Sequence, residues 1–72
     1  MAVRIMSLTQ PPVEHSDLAS AVRALQETLD EEKKQGMSVH PDRVSEEIGA
    51  VYKVRGQAGV ERYWLSADPP PE

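Results

Sequence analysis

Cysteine and phenylalanine are absent from this chain, and Trp64, Tyr52 and Tyr63 are the only aromatic residues among its 72. Without cysteine there is no disulfide framework and no thiolate metal site, which fits a reducing compartment. Long apolar runs are missing as well: no stretch approaches the roughly 18 residues of a membrane-spanning helix. The opening residues MAVRIMSLTQPP hold one Arg and lack the apolar run of roughly 7–15 residues that a secretory signal needs. The expected location is therefore cytoplasmic.

What remains is a short chain that is 39% hydrophobic and carries a net charge of −4. Its core must come from Leu, Val, Ile and Met, and about fourteen candidates at roughly 1.5–3 kcal/mol each offset the chain entropy only narrowly. Low stability, or support from a partner, is the expectation. The charge is unevenly placed. Residues 14–49 hold nine acids against four bases, whereas residues 50–65 hold Lys53, Arg55 and Arg62 against Glu61 alone. An acidic helical half beside a weakly basic segment makes a dipolar molecule, poorly suited to coating a nucleic-acid backbone with its whole surface.

The chain is organised around AVYKVRGQAGVERYWL, residues 50–65, where two apolar runs flank RGQAG and predict a β-hairpin. A register that places Val54 opposite Val60 also pairs Lys53 with Glu61, Tyr52 with Arg62, Val51 with Tyr63 and Ala50 with Trp64. Each pairing is favourable by type, at roughly 0.2–1 kcal/mol. A slip of one residue would oppose Lys53 to Arg62 and Val54 to Glu61, so the first register is expected. Ala50, Tyr52, Val54, Val60, Arg62 and Trp64 then form the core side. Val51, Tyr63 and Leu65 make the other side an apolar patch, to be covered by another segment or by a partner.

Upstream, Leu18, Val22, Leu25 and Leu29 recur at helical spacing and predict an amphipathic helix from Asp17 to about Gln35. Ser16 reads as the N-cap, Lys33 and Lys34 suit the last turn, and Gly36 supplies the stop. The run DEEKKQ has no apolar residue and should project into water. Pro41 and Gly49 bracket a second, two-turn helix with Val44 and Ile48 on its buried edge, Val39 and Val44 being placed as a hydrophobic staple if His40 is the cap. Residues 1–14 are an N-terminal arm that either adds a third strand through Val3 and Ile5 or stays flexible, and Pro11 and Pro12 end any regular element there. Residues 15–66 form one α+β domain, a long and a short helix packed on the C-terminal hairpin. The polyproline-like tail, 67–72, reads as disordered.

A short helix ending in Gly49, a hairpin with a basic tip and the closing strand ERYWL resemble the last part of a winged-helix domain, over residues 17–66. The resemblance implies a reduced winged-helix fold in which Lys53, Arg55 and Arg62 are wing contacts to DNA phosphate. It departs from that family in leaving no room for a recognition helix between Gly49 and Val51.

Catalytic and metal chemistry find little support in the residues. His15 and His40 lack the spaced partners of a tetrahedral site, and Asp30, Glu31 and Glu32 lack the alternation of a calcium loop. No nucleophile motif is present, and RGQAG is too short for a phosphate-binding loop. Gly56-x-x-Gly59 matches the KH tetrapeptide, but that loop joins helices. No enzyme activity, cofactor or metal is expected. The reading is a small acidic regulator, phage-like or of mobile-element type, that binds and inhibits or modulates a larger host protein. Val51, Tyr63 and Leu65 are its apolar anchor, and Lys53, Arg55 and Arg62 its charged rim. The alternative is a winged-helix-like DNA-binding regulator using the basic hairpin. Monomer and homodimer stay open.

Overall fold

Asp17 takes the N-cap position of the one long helix, its carboxylate accepting the Ser20 N–H at 2.7 Å. The helix therefore starts one residue later than a Ser16 cap would set it. It runs Leu18–Lys34 and ends as the sequence signals, with Gly36 at φ +91° in the left-handed region that glycine occupies without strain. There the Gly36 N–H reaches the Lys33 carbonyl and the Met37 N–H the Glu32 carbonyl, the paired bonds of a Schellman stop.

The computed structural model describes residues 2–67. Its elements are β1 (Val3–Ser7), β2 (Val13–His15), α1 (Leu18–Lys34), β3 (Ser38–His40), β4 (Val51–Gly56) and β5 (Gly59–Ala67). All strand pairs are antiparallel in one sheet of order β2-β1-β5-β4-β3. The architecture is thus α+β, one helix against one five-stranded sheet. The N-terminal segment belongs to the sheet, since Val3 opposes Ala67 and Ile5 opposes Leu65. A further strand, β2, lies beyond it. Of the tail expected over 67–72, Ala67 is instead the last residue of β5, paired with Val3, and 68–72 lie outside the described residues.

The hairpin forms, but in the register that cross-strand charge had disfavoured. Lys53 opposes Arg62, Val54 opposes Glu61, Tyr52 opposes Tyr63, Val51 opposes Trp64, and Gly56 and Gly59 close a two-residue Gln57-Ala58 connection. Burial decides the matter. This register gathers Tyr52, Val54, Tyr63 and Leu65 on one face, each at most 3% exposed. The alternative would have split them between two faces. It would gather as many large apolar side chains, Tyr52, Val54, Val60 and Trp64, but would carry Arg62 onto the core side with them. Burying a guanidinium there costs more than cross-strand pairs at roughly 0.2–1 kcal/mol return. Trp64 and Val60 consequently leave the expected core side. Tyr63 and Leu65 leave the expected outer patch.

Helix α1 covers that face with Ala21, Leu25 and Leu29, and Leu18 and Val22 pack partly against it. Val3 and Val39 complete the core, with Ile5, Met37 and Val44 at its margin. The stripe extends into the supposedly solvated last turns, because Glu32 follows Leu25 and Leu29 on the same side and accepts a 2.8 Å hydrogen bond from the Tyr63 hydroxyl. The second helix is absent. Residues 41–50 are irregular, His40 ends β3, and Val39 is paired with Val54 in the sheet. Two turns are too short to hold helical form alone, and tertiary partners take the backbone donors instead. The Val44 N–H goes to the Gln26 side chain at 2.8 Å and the Ser45 N–H to the Tyr52 hydroxyl at 3.0 Å.

Two pH effects follow. The Ser20 N–H and hydroxyl hold the Asp17 carboxyl below its ordinary range, and the Thr9 hydroxyl with the Leu8 and Arg62 N–H groups does the same for Glu61. A carboxyl that binds its proton more weakly when folded stabilises the fold above the ordinary carboxylate range and loses that contribution as pH falls through its folded value. Thermal melts should therefore drop on acidification below about pH 4, and Asp17→Asn with Glu61→Gln should flatten that drop. Burial, then the Glu32 hydrogen bond and charge, push the Tyr63 hydroxyl well above its ordinary value. Its stabilisation is complete below about pH 10 and is lost above it, as the unfolded chain ionises first. Tyr63→Phe should remove this alkaline loss and cost roughly 1 kcal/mol near neutral pH, read by urea titration.

Candidate binding face

Because α1 covers one side of the sheet, strand alternation assigns every second residue to the other side. That side is open, and it carries Arg4 and Met6 of β1, Val60, Arg62, Trp64 and Ser66 of β5, Val51, Lys53 and Arg55 of β4, and Glu14 at the edge. The pairings arrange these into rows across the strands. Met6, Trp64 and Val51 form one apolar row, with Trp64 directly opposed on both sides. Arg62, Lys53 and His40 form the next row, and Val60, Arg55 and Ser38 the one after. Adjacent rows on one face lie about 7 Å apart, two residues along a strand.

Val51 and Val60 are exposed by 46% and 47%, well above what an interior position would leave. Lys53, Arg55 and Arg62 are exposed beside them, and Trp64 is partly so. Arg4 is bridged to Glu14 at 3.4 Å. Four cations against one carboxylate give this face a charge of +3, while residues 17–47, which supply the helix and the loop after it, hold eight acids against four bases. The protein is acidic as a whole and basic on one side.

Of the six residues the sequence marks for partner contact, the structure brings Val51, Lys53, Arg55 and Arg62 together on the open face. Tyr63 and Leu65, at 3% and 0% exposure, are under α1 and cannot serve as a surface anchor. The residue missed is Trp64. The signal that finds it is the charge per face: both registers put at least four apolar residues beneath the helix, but only the observed one keeps Arg62 out from under it, and that register turns the indole outward.

Other chemistry is sparse. His15 and His40 end the two edge strands, β2 and β3, and so sit at opposite sides of the sheet. Among the described residues no group of three or more His, Asp or Glu is placed to hold a metal ion. A cleft of about 340 Å³ lies between the end of α1, the hairpin tip and the loop after β1, lined by Glu32, Glu61 and Tyr63 among others. Its carboxylates are already engaged: Glu61 accepts from Leu8, Thr9 and Arg62, and Glu32 from Tyr63. Among the described residues no helix is long and apolar enough to cross a membrane. Comparison with protein-family models, with curated proteins and with solved structures finds no match.

Proposed function

We propose that this chain is a non-enzymatic regulatory protein that binds nucleic acid through the open face of its sheet. The observation that carries the reading is the juxtaposition of Lys53 and Arg62 beside Trp64. Like charges directly opposed across two strands destabilise a sheet, and nothing acidic on this face lies between these two. An anionic ligand relieves that repulsion, and an aromatic surface next to the cations suits a base. The segregation of acids onto the helical half and the loop leaves the face free to meet a polyanion despite the overall charge.

A larger protein partner is the competing reading, and an acidic protein surface would meet the same cations. Of its apolar anchor, Val51 stays on the open face but Tyr63 and Leu65 lie in the core, which weakens it. The reduced winged helix is not needed for DNA contact, since the basic hairpin is presented by the sheet itself.

Fluorescence anisotropy with labelled mixed-sequence DNA and RNA tests the proposal. Three phosphate contacts predict that affinity falls about 20- to 40-fold between roughly 50 and 200 mM salt. The triple variant Lys53→Gln, Arg55→Gln, Arg62→Gln, with its fold verified by circular dichroism, should lose most binding at low salt. Absence of binding to every nucleic acid at low salt would overturn the proposal in favour of the protein partner.

A further inference from the structure

The open face differs from a duplex-reading surface in three ways. First, it has no helix, because α1, the only helix among the described residues, is packed on the opposite side. Second, it is too wide for a groove: five strands at about 4.8 Å spacing give a sheet about 19 Å across, whereas the major groove admits about 12 Å. Third, it offers few cations. Lys53, Arg55 and Arg62 cannot supply the roughly six to ten phosphate contacts common in duplex binding.

The same rows match a single strand. Trp64 has Met6 and Val51 at its flanks, so its ring is bounded by apolar side chains on the neighbouring strands. A base stacks on such a platform only when its own face is free, and within a duplex it is not. The cationic row of Arg62 and Lys53, with His40 beyond, runs parallel about 7 Å away. That offset is of the order of the reach from a base to its own phosphate.

We infer, on the basis of the nucleic-acid reading above, that the face is a single-strand site in which a base stacks on Trp64 while the adjoining phosphates lie along Arg62 and Lys53. The site reads no particular sequence, because every base offers a π-face to the indole.

Trp64 is the only tryptophan in the chain, so its emission reports the site directly. The intact protein is titrated with oligothymidylate of about ten nucleotides and, separately, with a duplex of equal length, the length being a typical single-strand site. The expected result is quenching by the single strand and affinity at least tenfold above the duplex. Trp64→Leu keeps an apolar side chain but loses the ring, and should weaken single-strand binding roughly tenfold or more, as followed by anisotropy. Equal affinity for both forms without quenching would overturn the single-strand site and leave the nucleic-acid reading standing. Failure of both forms to bind would remove the two together. Quenching in the unmodified protein decides the matter even if the leucine variant fails to fold.

Discussion

Leu65→Ala should cost about 2–5 kcal/mol, leaving a domain of this size partly or wholly unfolded at room temperature. Leu65 has no exposed surface, lies on the middle strand of the sheet and opposes Ile5 of β1. Its truncation opens a void beneath α1 that neither the helix nor two flanking strands can close without breaking their own pairings. Trp64→Ala, one residue away, should cost much less, because its ring lies outside the core. Urea titration of both variants checks the order, with the midpoint shifting and the slope unchanged. If the tryptophan variant proved the more damaging, the hairpin would have the other register and the basic face would not exist.

Arg62→Glu should cut oligonucleotide affinity roughly tenfold or more while leaving the protein as stable as before, or more so. The substitution sets opposite charges across the β4–β5 pair, worth roughly 0.2–1 kcal/mol in favour of the fold. It also removes one phosphate contact and places a carboxylate where an anion would sit, so the slope of affinity against salt should shrink by about one contact. A gain in stability joined to a loss of binding separates a cation kept for a ligand from one kept for the sheet. Unchanged affinity would show that Arg62 does not face the ligand.

Much of the fold can be read from local chemistry. The helix announces itself by Leu25 and Leu29, by Lys33 and Lys34 in the last turn and by the stop at Gly36. The hairpin announces itself by the glycines that close it. The register is harder, because it depends on a competition between Lys53 meeting Glu61 and Tyr63 joining Tyr52 under a helix, and only the second involves an element remote in sequence. Pro41 and Gly49 bracket a convincing helix that does not form. Gln26, 18 residues before Val44, takes the backbone donor that a helical turn would have used. The candidate face inherits both lessons. Its cations are legible as a cluster, whereas the outward turn of Trp64 follows from what lies on the far side of the sheet.

The strand at the centre of the sheet, β5, is the last of the six elements in chain order, and its neighbour β1 is the first. During synthesis, then, the pairs β1–β2 and β3–β4 can be made early but have nothing to join them until the residues up to Ala67 emerge. Contacts between β1 and β5 close a longer loop than any other strand pair of the sheet and are the slowest to form. A stop codon shortly after Gly56 would leave two detached ribbons and a helix with no sheet to rest on, so such a truncated product should be degraded rather than accumulate.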